Sequence, residues 1–295
     1  MLRLKGSPEI VDFLFQKVVD SHDSSSSWRD HLGMSQINHE CERKLYYDFH
    51  WHSKEERSGR MLRLLNRGTQ EEPNFYALLR NAGFKIRVRP GRGAGQFRFI
   101  DPDMPSFQGS LDGYIISGPG DILQGRKNGG LELKTAKASS FREFSKKGIE
   151  AKSPTYYGQA QSYMLQSHYP DSPVPPLNWF LFLILNKDTD DLYAEIIEID
   201  PYYGRALRDR AHEILSADGP KELGRLSESP DWYECRWCSH RDQCHFNDAP
   251  AKNCRTCKHS KHVQSNVAKW ECSKKNEVLF RDAALKGCDE WERKP

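Results

Sequence analysis

The sequence predicts an α/β fold: a mixed central sheet flanked by helices, followed by a small cysteine-rich, metal-bound C-terminal region. Three observations predict it. Between residues 84 and 136, short apolar or alternating runs are separated by Gly- and Pro-containing turns, as in strands. On both sides of that stretch apolar residues recur at helical spacing. Seven of the eight cysteines lie beyond residue 234, where the composition shifts to Cys, His, Trp and Lys and periodicity fades.

The elements follow in order. Residues 7–22 carry Ile10, Phe13, Leu14, Val18 and Val19 at helical spacing, and the serine run 24–27 ends the helix as a flexible joint. CERKLYYDFHW (41–51) reads as a short aromatic helix. Residues 59–80 read as a longer one with Leu62, Leu65, Phe75 and Leu79 inward. FKIRVR (84–89), GQFRFI (95–100), SLDGYII (110–116) and GLELKTA (130–136) read as a β-meander. Residues 139–151 and 156–166 are helical. NWFLFLIL (178–185) is a strand buried on both faces, paired across the turn NKDTD with DLYAEIIEI (191–199). Residues 203–216 form the last helix of the body. The divisions are an N-terminal helical segment at 1–55, a core at 56–230 and the cysteine-rich region at 231–295, with no internal repeat.

Composition removes several function classes. The chain has 295 residues, 29% of them charged, so it is no low-complexity tail. Its longest apolar run, Trp179 to Leu185, is far too short to span a membrane. The charged opening MLRLKGSPEI shows no secretory signal, so a cytoplasmic setting with reduced thiols is expected. Lys plus Arg number 44 against 41 Asp plus Glu, so any polyanion-binding surface must be local. No P-loop is present, which excludes a helicase motor in this chain.

The chemistry gathers around Asp112, Glu132 and Lys134. Strand period two puts Glu132 and Lys134 on one face, with Leu131 and Leu133 on the other. If its strand neighbours theirs, Asp112 meets them, and Gly109 and Gly113 permit close backbone approach. Two carboxylates and an ammonium are costly to bury unless they bind something, and oxygen donors suit Mg²⁺ or Mn²⁺. An isolated Glu-x-Lys pair, by contrast, is common on any solvent-facing strand.

The pattern D…ExK on consecutive strands resembles the PD-(D/E)xK nuclease superfamily, and within it the RecB-like and lambda-exonuclease-like branch. NRGTQEEP (66–73) resembles the helix that supplies a further acid there, which would be Glu72. YYGQAQSYM (156–164) resembles the helical Q-x-x-x-Y motif, giving Gln159 and Tyr163, with Gln161 a rival for the glutamine. The resemblance spans about residues 35 to 290. It is nearest to phage-encoded nucleases that share GSLDG, LE-x-KT and the C-terminal cysteines. It departs in having no proline before Asp112. It implies a restriction-endonuclease-like sheet, DNA as partner, and metal-dependent phosphodiester hydrolysis of the exonuclease kind leaving 5′-phosphates. It further implies a role in phage-type recombination, replication or processing in the bacterial cytoplasm, with a recombination or replication protein as a further partner. By the same resemblance Glu72, Asp112, Glu132 and the Leu133 carbonyl hold Mg²⁺ or Mn²⁺, Lys134 positions water, and Gln159 and Tyr163 orient phosphate or lysine. Lys137, Lys146 and Lys147 are candidates for phosphate contacts. The rival readings are a catalytically inactive nuclease-fold DNA-binding protein and a zinc scaffold for protein contacts.

Cys235, Cys238 and Cys244 supply three thiolates, one short of a closed tetrahedral site. Cys41, the only cysteine in the first 234 residues, is the candidate fourth, with His240 and His245 as alternatives and a buried apolar role as the bland reading. One cysteine before the core and three after it resembles the iron–sulfur nucleases of the RecB-like group. That implies a 4Fe–4S cluster on Cys41, Cys235, Cys238 and Cys244, with zinc the other metal suited to thiolates. Cys254, Cys257, Cys272 and Cys288 read as a structural zinc site, with His259 and His262 as alternative ligands and Arg255, Lys258, Lys261 and Lys269 as further DNA contacts. Trp28, Trp51, Tyr46 and Tyr47 read as core rather than base-stacking groups.

Overall fold

The structure, a computed structural model, describes residues 7–22, 28–54, 56–91, 93–264 and 269–294. The serine run 24–27 expected as a joint lies outside them. The first helix, α1 (Pro8–Asp20), forms as its spacing predicts, with Pro at its start. Its apolar face is not covered: Ile10, Phe13 and Leu14 are exposed, because only the edge bearing Phe15 and Val18 is partly covered. One strand that the sequence reading missed and the two helices that it expected follow. β1 (Leu32–Gly33) is too short to show a period, α2 (Glu42–Phe49) buries Leu45, Tyr46, Tyr47 and Phe49, and α3 (Gly59–Asn81) packs beside α1. Trp51 is fully buried too, so these aromatics are core. Leu65, expected inward on α3, is exposed, whereas Leu62, Phe75 and Leu79 are buried. Leu65 stands three residues from Leu62 but lines an open groove.

The expected meander is divided between two sheets. β2 (Lys85–Arg87), β5 (Gly113–Ser117), β6 (Gly129–Ala136), β7 (Trp179–Asn186) and β8 (Leu192–Glu198) form the main sheet in the order β2-β5-β6-β7-β8, and β3 (Phe97–Ile100) and β4 (Phe107–Leu111) join β1 in a second. The run SLDGYII is therefore broken at Asp112: residues up to Leu111 pair with β3, and those from Gly113 pair with β6. Alternation alone could not show this, since period two fixes faces but not partners. Within the main sheet only β6 and β7 run parallel, joined through α5 (Ala138–Lys152) and α6 (Pro154–Ser167); a short α4 (Gly120–Leu123) links β5 to β6.

β7 is buried along nearly its whole length, as its unbroken apolar run predicts. Phe180, Phe182 and Ile184 face the larger core under α5, α6 and α7 (Pro201–Ser216), and Leu181 and Leu183 face a smaller one shared with Phe75 and Leu79 of α3. The result is a helix–sheet–helix sandwich, a mixed α/β body. No helix among the described residues is long and apolar enough to cross a membrane.

Beyond residue 230 the chain is more regular than its composition suggests. α8 (Tyr233–Arg236) and α9 (Arg241–Phe246) precede an antiparallel sheet of β9 (Ser260–Val263), β10 (Lys269–Cys272) and β11 (Glu277–Leu279), then α10 (Arg281–Lys286). Strands of three or four residues are too brief to register as a period. This region packs on the body. Trp270 joins the larger core, and Arg255 lies 3.6 Å over the Trp51 ring and donates to the Phe49 carbonyl at 2.8 Å. Arg255 is thus buried and is no surface cation for DNA.

Candidate active site

The break at Asp112 creates the site. Gly113 pairs with Leu131, so continuing that register would set Leu111 opposite Leu133; instead the chain has turned into the other sheet. This leaves one edge of β6 unpaired at Leu133. The Leu133 N–H donates to Asp112 Oδ2 at 3.1 Å, and the Leu133 carbonyl leaves the strand on the same side as its N–H. Gln96 holds the other carboxylate oxygen, donating to Oδ1 at 3.0 Å. Gly109, one turn of the pleat earlier, leaves no room for a Cβ beneath the Tyr163 ring.

Glu132 and Lys134 share the β6 face that meets α6, as the strand period predicts. The Lys134 ammonium donates to Glu132 Oε1, and Gln159 donates to Oε2 at 2.8 Å. Glu132 is only 2% exposed, and Lys134 also sits 5.0 Å over the Tyr156 ring. The second glutamine bonds elsewhere: Gln161 donates to the Glu198 carbonyl and accepts from the Asp200 N–H, so it ties α6 to the start of α7. Tyr163 does not touch the acids; its hydroxyl donates to the Ser110 carbonyl at 2.8 Å and anchors the strand just before Asp112.

Glu72 reaches the site from α3. Tyr76, one helical turn on, donates to the Asp112 carbonyl at 3.0 Å and lies 3.5 Å from Glu72 Oε2. Tyr76 and Gln96 were not found from the sequence; the i, i+4 spacing of Glu72 and Tyr76 was the available signal for one, and nothing marked the other. Replacing Tyr76 with Phe removes this latch but keeps the ring packed. It is expected to cost about 1 kcal/mol of folding stability, the net worth of one hydrogen bond, and thermal melts of both proteins check this.

The electrostatics are those of acids crowded away from water. Burial pushes the Glu132 carboxyl up to about 7, with Asp112 adding to the rise and Lys134 and Gln159 opposing it. Burial also raises Asp112, against the pull of Lys134 and the Leu133 N–H. Glu72 rises through burial and then the Asp112 charge. Burial works against the Lys134 ammonium, yet Glu132, Tyr156 and Asp112 outweigh it and hold lysine above its usual value. A carboxyl raised in the folded state binds its proton more tightly there than when unfolded, so folding stability falls as pH rises from the ordinary carboxyl range through about 7. In chelator, wild type is expected to lose stability over that window relative to Glu132→Gln. Thermal melts of both proteins across pH measure the difference.

The open end of β6 leads into a groove between α3 and the α5–α6 pair, lined by Glu72, Lys134, Lys137 and Tyr156 among others. Of the expected phosphate contacts Lys137 lines this groove, Lys147 is paired with Glu143, and Lys146 is exposed on α5 outside it.

The cysteines gather in two places. Cys41, at the start of α2, lines one small pocket with Cys235, Cys238 and Cys244. Cys254, Cys257, Cys272 and Cys288 line another. Burial and then the neighbouring thiols Cys288, Cys257 and Cys272 push Cys254 up to about 11. Among the alternative ligands, His240 is held between Asp48 and Ser53, and His262 bonds to Ser106. His245 and His259 line the first and second pockets respectively. As placed, no group of three or more His, Cys, Asp or Glu among the described residues stands in a metal-holding arrangement.

No family model matches the chain, and no curated protein does. Among solved structures it is similar to LHK-Exo in complex with dAMP, at 17% identity and a TM-score of 0.45 over 65% of this chain and 89% of that one. The alkaline exonuclease LHK-Exo from Laribacter hongkongensis gives 16% identity and a TM-score of 0.45 over the same shares. The overlap is partial at these values, and the site stands on its own residues.

Proposed function

We propose that this chain is a Mg²⁺- or Mn²⁺-dependent deoxyribonuclease of the exonuclease kind, hydrolysing phosphodiester bonds at the unpaired edge of β6. The observation that carries the reading is the seat of the Asp112 carboxylate on the Leu133 amide, beside Glu132 and its lysine. Glu72, Asp112, Glu132 and the Leu133 carbonyl are oxygen donors only, and all three carboxylates are held above their ordinary range by burial, which a hard dication would reverse. Such a cation supplies the charge that polarises a phosphoryl oxygen and lowers the pKa of an attacking water. Lys134 orients that water and offsets charge developing on the phosphate. Gln159 fixes the Glu132 carboxylate, and Tyr163 fixes the strand leading to Asp112.

For the two cysteine pockets the resemblance suggests a 4Fe–4S cluster on Cys41, Cys235, Cys238 and Cys244 and a zinc ion on Cys254, Cys257, Cys272 and Cys288. Thiolates suit both. Each pocket is lined by four cysteines, Cys41 joining the first from the other end of the chain. The same resemblance that suggests the activity suggests a phage-type recombination, replication or processing role in a bacterial cytoplasm, beside a recombination or replication protein.

End-labelled linear DNA and covalently closed circular DNA, incubated with Mg²⁺ or Mn²⁺, test the activity. The linear substrate is expected to yield 5′-phosphate nucleotides and the circle to survive, with chelator stopping the reaction. Intact linear DNA under both metals would overturn the reading; nicked circles would replace the exonuclease with an endonuclease.

A further inference from the structure

The Lys134 ammonium has two partners, the Glu132 carboxylate and the face of the Tyr156 ring, whose centroid is 5.0 Å away. They are not equivalent once the site is at work. Under the nuclease reading Glu132 gives its oxygens to a dication, so its hold on the lysine weakens. A carboxylate also cancels the charge that Lys134 is to offer a phosphate. The ring attracts a cation through its quadrupole. It therefore holds the ammonium without neutralising it and without competing for the metal.

The ring is itself fixed. Tyr156 stands three residues before Gln159 on one face of α6, so a single turn presents the ring to Lys134 and the amide to Glu132. Phe144 of α5 stacks on Tyr156 at 6.1 Å and 6°, and Phe182 of β7 at 6.1 Å and 18°. Phe182 is fully buried and stands opposite Glu132 in the sheet, which ties the stack to the strand bearing Lys134. The approach to α6 is anchored as well. α5 breaks at Gly148, where φ is 76°, a conformation that favours glycine. Just past the break the Ile149 N–H donates to Glu195 Oε2 at 2.8 Å, and Glu195 follows Glu132 and Phe182 in register across the sheet. Among the described residues the Tyr156 hydroxyl has no hydrogen-bond partner, so it is the ring that makes the contact.

We propose that Tyr156 is a positioning residue: its ring face, set by Phe144 and Phe182, keeps the Lys134 ammonium aimed at the reacting phosphate. This deepens the nuclease reading and rests on it.

Two replacements in the full chain test it: Phe keeps the aromatic face, and Leu keeps an apolar side chain without one. With Mn²⁺ and labelled linear DNA, Tyr156→Leu is expected to lower kcat about tenfold and leave KM within about twofold, because the loss falls on a group that acts in the transition state. Tyr156→Phe is expected to restore kcat to within about twofold of wild type. A leucine variant that turns over at the wild-type rate overturns the proposal. So does a phenylalanine variant as slow as the leucine one, which makes the hydroxyl the working group. So does a loss that lies wholly in KM, which makes Tyr156 a substrate contact. Should the leucine variant not fold, the rate and spectrum of the phenylalanine variant decide alone.

A second readout needs no turnover. Carbon–proton correlation spectra of protein labelled at lysine Cε report the ring current on Lys134, whose signal is identified by its loss in Lys134→Met. In chelator and in Mg²⁺ that signal is expected upfield with Tyr or Phe at position 156 and to move downfield with Leu. A signal that stays in one place in all three proteins, or that moves downfield in wild type when Mg²⁺ is added, defeats the proposal even where cleavage is normal. An upfield signal in a wild type that does not cleave DNA sustains the hold of the ring on the lysine and removes the nuclease reading.

Discussion

Glu132→Gln is expected to reduce phosphodiester cleavage about a thousandfold or more while DNA binding stays within roughly threefold of wild type. The variant keeps the shape of the side chain and its contact with Gln159, so the core face of β6 is preserved. What it loses is a carboxylate oxygen for the cation and the charge that holds Lys134 in place. Lys134→Met should cause a comparable loss of rate, with a separate structural cost. Glu132 is almost fully buried, and removing its cation leaves an uncompensated charge, a cost of about 3–5 kcal/mol in such pairs. Initial rates of label release, read beside binding and thermal melts, separate these effects. A Glu132→Gln protein that cuts DNA at the wild-type rate would remove this residue from the chemistry.

Cys238→Ser is expected to have the largest effect on the fold. Its pocket joins the start of α2 to the region after residue 230, so a metal group there closes a loop of nearly the whole body. Structural thiolate sites contribute folding free energy of the order of 10 kcal/mol. Anaerobically purified wild type should carry about four irons with thiolate-to-iron absorption; Cys238→Ser should lose the iron and the colour and melt at least about 10 °C lower or fail to accumulate in soluble form. Cys254→Ser should release zinc and keep the iron. Identical metal content in wild type and both variants would contradict both assignments.

Much of this arrangement was written in local patterns. The run from Trp179 to Leu185 has no polar residue, as suits a strand covered on both sides, and β7 is such a strand. Glu132 and Lys134 fall on one face because strands alternate, whatever surrounds them. The path of the chain at Asp112 could not be seen. SLDGYII alternates as well as one strand as it does as two, and the choice is made by β3 and β6 competing for its halves. Gln96 was hidden for the same reason, since its contact with Asp112 exists only once the sheets have separated, whereas the i, i+4 spacing of Glu72 and Tyr76 was there to be read. The exposed face of α1 went unrecognised because amphipathic spacing states that a face is apolar and not that anything covers it.

The central claim is that Asp112 and Glu132 share a divalent cation at the unpaired edge of β6. Electron paramagnetic resonance of free Mn²⁺ during titration with protein tests it directly. Wild type should quench the free-ion signal with at least one ion bound per chain, while Asp112→Asn and Glu132→Gln should each weaken that binding by tenfold or more, about 1.4 kcal/mol. Titration curves for the two variants that overlay the wild type would contradict the account.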